Sequence, residues 1–515
     1  MDKNDFGKRE IRICFLLMLF SLLIFGKAAA IRAAEPGNAP VLVQTPVQYG
    51  SVNALPPFQT GSTAEKPAAD KPVAEKTAEK SAADPSASQK KDGKPAPDLA
   101  AYEARISALE DMVKKKADKP DSKNGFVHKV DGRVYFDSYR LSGDSSSPTP
   151  DFRKDLNYAG IKDLRIGVTG AGYEHYSYKA DMYYASSTGG VEIRDVWICA
   201  DDVPLLETVK VGNHRVEEGI STLTPGTQTT FAFYEGTDFL NFYRLGISSR
   251  HLWADNHVRL FMGLFEYKPV ATTKRNECAE NLSWGWIANT RLTYMPYASK
   301  DEKGVIDGKS MMLIGGHYGY YNANNSDQTF TERYSELSGF GALQTISLGK
   351  VDHYQQAGIE LVMQNGPFAF QTEAYSRTYA LNKYERDASL FGTYVEGRLF
   401  LTGEYRRFNA QQAIWNAVSM NNNLDFKKEN GCNFFDHFGA WEVAARWGYT
   451  DLARFGKIGL PGINANRVNE FTFGLNWYWT ERARMMFDYS HIIPQDNAGG
   501  SSDLDVFATA LRFYF

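Results

Sequence analysis

The chain has 515 residues, 43% of them hydrophobic and 14% aromatic, with a mean hydropathy of -0.41 and a formal net charge of -4. Its polar average, with no late run of the roughly 20 apolar residues a spanning helix needs, excludes a helical membrane bundle and suits a wall apolar at every second position. Basic and acidic residues number 19 and 16 through Asn124 and 38 and 45 beyond it, so the larger part is mildly acidic and lacks the concentrated basic face of a nucleic-acid binder.

Lys3, Lys8, Arg9 and Arg12 precede the apolar run Ile13 to Gly26, and Ala28-Ala29-Ala30 follows. This order predicts a secretory signal peptide over residues 1–30, cleaved after Ala30. Cys14 falls inside the apolar run and well ahead of that site, unlike a lipid-attachment cysteine. Residues 31–97 form the next segment, rich in Ala, Lys, Glu, Pro and Ser, which reads as an extended disordered tether. The tether is a plain spacer or a contact to the cell-wall polymer. Over 98–119, Tyr102, Ile106, Leu109 and Val113 make one narrow apolar stripe, the seam of a short coiled coil. Asp98 can cap its start, and Lys114-Lys115-Lys116 suits the negative end of its dipole. A helix this short is marginal alone. It belongs either in a bundle beneath an oligomer or against the body that follows.

From Phe126 the period changes from helix to strand. Val130, Val134 and Phe136 alternate with Lys129, Asp131, Arg133, Tyr135 and Asp137; Leu164, Ile166 and Val168 oppose Asp163, Arg165 and Thr169. Tyr176, Tyr178, Ala180, Met182 and Tyr184 then oppose Ser177, Lys179, Asp181 and Tyr183. Further strands are expected near 192–200, 207–216, 241–249, 256–265, 284–295, 310–321, 355–363, 367–378, 389–401, 438–451, 470–479, 482–492 and 505–515, which brings the total to 16. Strands of about 10 residues tilted near 40° cross the roughly 25 Å apolar band of an outer membrane. The expected fold is therefore an all-β transmembrane barrel of about 16 antiparallel strands over 125–515, preceded by a short periplasmic helical coiled coil. Tight turns such as Gln364-Asn365-Gly366-Pro367 and Thr480-Glu481-Arg482 are expected at one end, and long loops near 213–240, 322–354 and 402–437 at the other.

The strand over 505–515 sets Phe507, Thr509, Leu511, Phe513 and Phe515 against Arg512 and Tyr514. An aromatic face opposite an arginine suits lipid outside and water inside; the alternative is a buried strand of a soluble sandwich. Cys199 reads as a strand residue. Cys278 and Cys432 fall in stretches read as loops, where they either pair or stay free, and no cysteine has metal-ligand spacing.

Several stretches together resemble the phosphate-selective porin O and P family: Gly358-Ile359-Glu360-Leu361 through Phe370-Gln371-Thr372-Glu373-Ala374-Tyr375, Leu401-Thr402-Gly403-Glu404, Gly439-Ala440-Trp441-Glu442-Val443-Ala444-Ala445-Arg446, Leu475-Asn476-Trp477-Tyr478 and Arg512-Phe513-Tyr514-Phe515. The resemblance spans roughly 125–515 and implies a 16-stranded outer-membrane barrel, usually a trimer, with one loop folded into the pore. It implies a porin for passive diffusion of small hydrophilic solutes and ions, including anions such as phosphate, with the N-terminal region in the periplasm. Outer-membrane lipid and a homotrimeric partner follow from the same likeness; no cofactor, metal or nucleic acid is expected. The family lines its pore with arginines and lysines, some from a paired arginine on an early strand. Here Leu164-Arg165-Ile166-Gly167 carries only one.

Selectivity in a water-filled pore depends on charges around its narrowest ring. The pore-lining candidates are Lys129, Arg133, Arg165, Lys179, Arg194, Lys210, His214 and Arg215, offset by Asp131, Asp137, Asp163 and Asp181 on the same faces. Val211 to Ile220 resembles the strand exit into the infolded loop, which would bring Glu217, Glu218, Glu235 and Asp238 opposite the basic wall. Such a transverse field suits general permeation better than a dedicated phosphate site. Glu442 and Arg446, four apart on one strand face, are either a stabilising wall pair or a solute contact. An enzyme is not expected, because neither a G-x-S-x-G element nor an H-E-x-x-H helix occurs, and His353 and His437 read as loop residues. The alternative function is a structural envelope protein anchored by the barrel and working through its tether and coiled coil.

Overall fold

The computed structural model describes residues 125–144, 155–185, 190–232, 243–267, 285–333, 342–382, 387–425, 437–496 and 502–515. The expected signal peptide, tether and coiled coil lie outside these residues, as do Cys278, Cys432, Glu235 and Asp238.

Among the described residues, eighteen strands follow in order. The first eight are β1 (Phe126–Gly143), β2 (Leu156–Gly172), β3 (Tyr176–Ala185), β4 (Gly190–Val203), β5 (Glu207–Arg215), β6 (Tyr243–Trp253), β7 (Val258–Glu266) and β8 (Trp286–Lys300). Next come β9 (Ile306–Arg333), β10 (Ala342–Asn365), β11 (Phe368–Leu381), β12 (Ala388–Phe400), β13 (Tyr405–Asn409) and β14 (Ile414–Ser419). The chain closes with β15 (Ala440–Asp451), β16 (Ala465–Thr480), β17 (Ala483–Asp496) and β18 (Leu504–Tyr514). Two short helices, α1 (Ile220–Leu223) and α2 (Ala453–Lys457), interrupt them. All strands except β13 and β14 form one closed antiparallel barrel, each beside its sequence neighbour and β1 beside β18. That makes 16 barrel strands, at the places the alternation predicts.

Exposure is inverted relative to a soluble protein. On β2, Leu164 and Ile166 are exposed while Asp163 and Arg165 are buried; on β18, Phe507, Phe513 and Phe515 are exposed while Arg512 is buried. Apolar side chains facing out and charged ones facing in require lipid around the barrel. The seam pairs Arg133 with Tyr514 through Gly143 with Leu504, and backbone bonds between Gly132 and Phe515 (3.0 and 3.2 Å) extend it. Cys199 is a buried free thiol on β4.

Three expectations about connections need correction. Residues 322–333 and 342–354, expected in a loop, are strand: β9 and β10 pair from Asn365↔Ser310 to Ala342↔Arg333. Beyond the apolar band their outward positions turn polar, so the hydrophobic alternation fades while the hydrogen-bond ladder continues. His353 consequently lies in β10, with its ring stacked on Tyr320 at 5.2 Å. The connection 401–439 is also not at the long-loop end. It joins β12 to β15 at the end that carries the short turns 173–175, 204–206, 254–257, 366–367 and 481–482, and it contains the β13–β14 hairpin.

Candidate functional site

Two segments enter the barrel from opposite ends and fill one side of it. The first follows β5 and is described through 232. Gly219 makes its entry possible: its φ is +127°, and a Cβ there would lie 2.1 Å from Glu373 Oε1. Glu373 accepts the backbone N–H groups of Ile220 (2.8 Å) and Ser221 (3.1 Å), and the Tyr394 hydroxyl (2.5 Å). Farther along, Thr230 donates to Glu396, Phe231 lies under the Arg446 guanidinium at 4.6 Å, and Ala232 N donates to Asp488 at 2.7 Å. The Ala232 carbonyl accepts from Arg512 (3.2 Å) and Lys162 (3.3 Å). The segment thus runs from β5 past β11 and β12 to β17, β18 and β2.

The second segment is the hairpin, whose β13 and β14 pair from Tyr405↔Ser419 to Asn409↔Ile414. Phe408 and Trp415 meet edge to face at 5.4 Å and pack in one buried cluster with Ile220, Met311, Leu313 and Val362. Trp415 Nε1 donates to Gln371 (2.6 Å), and the Arg398 guanidinium sits 3.9 Å over its ring. At the tip, Arg259 donates to the Gln411 carbonyl (2.9 Å) and Arg291 to that of Ala413 (3.1 Å).

The inner wall of β1 to β5 has a different character, and most of the cationic candidates meet there. Arg133 pairs with Asp163; Arg165 is 3.7 Å from Asp163 and 3.4 Å from Asp181. Lys179 contacts Asp181 (3.2 Å) and Asp195 (3.6 Å), and Arg194 contacts Glu192 (3.1 Å) and the Tyr183 ring (4.2 Å). Lys210 lies over Trp197 at 4.4 Å. Arg215 donates to the Tyr243 hydroxyl at 3.1 Å and to the Thr222 carbonyl. Several side chains here stay partly accessible, with relative exposures of 14% for Arg133, 23% for Lys162 and Lys179, 26% for Arg194 and 18% for Asp195, while Asp163, Arg165 and Asp181 are buried behind them. Arg291 and Glu442, on the wall beneath the inserted segments, and Arg406, on the hairpin itself, have none. Lys129 is exposed near the tight-turn end, apart from the cluster. His214 is buried, with Nε2 beside Ser248 Oγ (2.8 Å) and Nδ1 donating to the Gly212 carbonyl (2.9 Å).

Of the loop carboxylates, Glu217 and Glu218 lie among the described residues, and both have partners away from the β1–β4 cations. Glu217 pairs with Arg259 through two contacts of 2.7 and 2.6 Å and lies 3.6 Å from Arg291; Glu218 accepts from Tyr321. Burial alone would raise the Glu217 carboxyl, but the Arg259 guanidinium, with Arg291, holds it below its ordinary value. Glu217 and Glu218 are thus engaged by Arg259, Arg291 and Tyr321, and the cations of β1 to β4 have carboxylate partners on their own wall. Glu442 and Arg446 share a face as expected but do not pair, because four residues of strand separate them by about 13 Å. Glu442 instead accepts from Arg406 (2.7 Å), Tyr478 (2.9 Å) and Asn476 (2.9 Å). Arg512 faces inward but is covered, bound to Asp137 and the Ala232 carbonyl.

Sequence reasoning missed Lys162, Asp195, Arg259, Arg291, Glu373 and Arg406. For Arg259 a signal existed, since it stands between Val258 and Leu260 in the alternation, whereas Lys162 and Asp195 each adjoin a second charge, Asp163 and Arg194, where the alternation breaks. Arg406 lay in a stretch read as loop, where no period was sought.

A model of the phosphate-selective porin O and P family matches residues 129–515. No curated protein gives a significant match. Similar solved structures include the outer membrane channel DcaP of Acinetobacter baumannii (10% identity over 76% of this chain and 99% of that one, TM-score 0.44). Others are an anion-selective porin from Comamonas acidovorans (9%, 76% and 100%, 0.43) and Pseudomonas putida OprB (9%, 76% and 94%, 0.43). The sequence match covers the whole barrel, whose lipid-facing exterior and charged interior are those of an outer-membrane porin channel, and the chain belongs to the phosphate-selective porin O and P family.

Proposed function

We propose that solutes cross along the inner face of β1 to β5, and that the channel passes small hydrophilic solutes and ions with modest charge preference rather than selecting phosphate. The observation that carries this reading is the division of accessibility: charged side chains retain exposure on that wall, at Arg133, Lys162, Lys179, Arg194 and Asp195, and lose it beneath the inserted segments. Cations and carboxylates interleave there, so a passing ion of either sign meets a partner within each few ångströms. The pore-lining roles of Arg133, Arg165, Lys179, Arg194 and Arg215 belong to this proposal.

The assembly is read as a homotrimer, with the tether and the coiled coil of 98–119 in the periplasm. Favouring an oligomer, the outward face of β4 and β5 is uniformly aliphatic, with Val191, Ile193, Val196, Ile198 and Val211 exposed. Trp286, Phe391, Trp447 and Phe471 lie on other strands, where aromatic girdles mark contact with lipid headgroups.

Single-channel recording of the purified protein tests the path. Discrete open levels with a small reversal potential across a salt gradient are expected. Strong anion selectivity that survives replacement of Arg165 and Lys179 together would show that the wrong wall has been assigned.

A further inference from the structure

The connection from β12 to β15 is unlike the others at its end of the barrel, where a few residues suffice between strands. It places a hairpin inside the lumen, with Phe408 and Trp415 buried and Gln411, Gln412 and Asn416 left exposed. One hairpin residue touches both the infolded segment and the barrel wall. The Arg406 guanidinium donates to the Gln228 carbonyl of the infolded segment (2.6 Å), to Glu442 on β15 (2.7 Å) and to the Tyr478 hydroxyl on β16 (2.8 Å). Its side chain has no exposure, nor does that of Glu442. A buried charge paired this way holds its partners in one arrangement, because displacing Glu442 strands it without a counter-ion and displacing the Gln228 carbonyl or the Tyr478 hydroxyl leaves a buried donor unsatisfied.

We propose that the β13–β14 hairpin sets the size limit of the channel from the short-turn end, and that Arg406 is the positioning residue that latches it to the infolded segment and the wall. The inference rests on the channel reading above. The hairpin fills cross-section that an empty barrel would conduct through, and its packed aromatic pair makes the filling permanent. The surface it leaves to water carries neutral amides at Gln411, Gln412 and Asn416, and its accessible cation, Arg407, is paired with Glu481 (2.8 Å), so it limits solutes by bulk and leaves charge preference to β1–β5.

Because Tyr405 and Ser419 are register partners, residues 406–418 can be replaced by Asn-Gly without moving the chain ends. The experiment compares wild type, this excision, Arg406→Met and Arg406→Lys by single-channel conductance and by liposome swelling in sugars of increasing size. Excision is expected to raise conductance by roughly twofold or more and to admit larger oligosaccharides, as the conducting cross-section grows. Arg406→Met should move both readouts the same way with noisier open levels, and Arg406→Lys, which keeps a cation beside Glu442, should stay nearer wild type. An excised barrel that still migrates as folded before heating, yet keeps wild-type conductance and size limit, overturns the proposal. If the excision does not fold, Gln411→Cys labelled with a bulky thiol reagent decides, against wild type treated alike to account for its native cysteines. Reduced conductance supports the proposal, and unchanged conductance overturns it. A silent wild type would instead sink the channel reading itself.

Discussion

Neutralising Asp195 is the sharpest probe of where ions travel. Its carboxylate is 3.6 Å from Lys179 Nζ, and 18% of the side chain remains accessible, whereas the other partner of Lys179, Asp181, has none. Asp195→Asn removes a negative charge from the water-facing side of that cluster and leaves Lys179 half compensated. An ion passing about 5 Å away in a water-like medium feels a unit charge by roughly 0.8 kcal/mol, reduced to about 0.5 kcal/mol by screening at 0.1 M salt. Anions gain that amount and cations lose it, so the anion-to-cation permeability ratio should rise by about 1 kcal/mol, or about fivefold. The assay is the reversal potential of the reconstituted channel across a tenfold potassium chloride gradient. Glu470→Gln, an equal charge change on the inner wall of β16 beside Arg446 (3.9 Å), serves as the comparison and should shift it little. A ratio that stays within about twofold for Asp195→Asn, or a larger shift for Glu470→Gln, would refute the assignment of the path to β1–β5.

Glu373→Ala removes the acceptor of two backbone N–H groups and a tyrosine, so it should cost about 2 kcal/mol and loosen the infolded segment, visible as a lower melting temperature and flickering open levels. Gly439→Ala should abolish the folded, heat-modifiable band on a gel, because φ is +66° and the new Cβ would sit 2.0 Å from the Tyr478 carbonyl, where backbone cannot yield. Deleting residues 98–119 should weaken the trimer in native electrophoresis while leaving single-channel conductance intact; an unchanged assembly would refute the coiled-coil reading.

The barrel was legible because its physics is one-dimensional. Val134 and Phe136 beside Arg133 and Tyr135, or Phe513 and Phe515 beside Arg512, declare two environments at period two, and lipid enforces that period on every spanning strand. Where lipid stops, the signal stops as well: the outer halves of β9 and β10, and the whole of β13 and β14, keep their ladders without an apolar outward face. The site was only partly legible for a related reason. Alternation tells which side a charge faces and is silent about what crosses the lumen to meet it. Arg133, Arg165 and Lys179 were therefore placed on the inner wall, but nothing in their surroundings showed that Glu217 would go to Arg259, or that Arg446 would be capped by Phe231. The even spacing of Glu442 and Arg446 told that they share a strand face, but not that four strand residues set them about 13 Å apart, too far to pair.

The seam between β1 and β18 joins partners as remote as Arg512 and Asp137, 375 positions apart. No local event can bring them together, and a contact of such separation in sequence is slow to form. Until then the sheet presents two bare edges, each able to pair with another unfinished copy. The cell must therefore escort this chain across an aqueous compartment and delay its last hydrogen bonds until lipid is at hand, and the route of assembly is as much a consequence of the ring as the pore is.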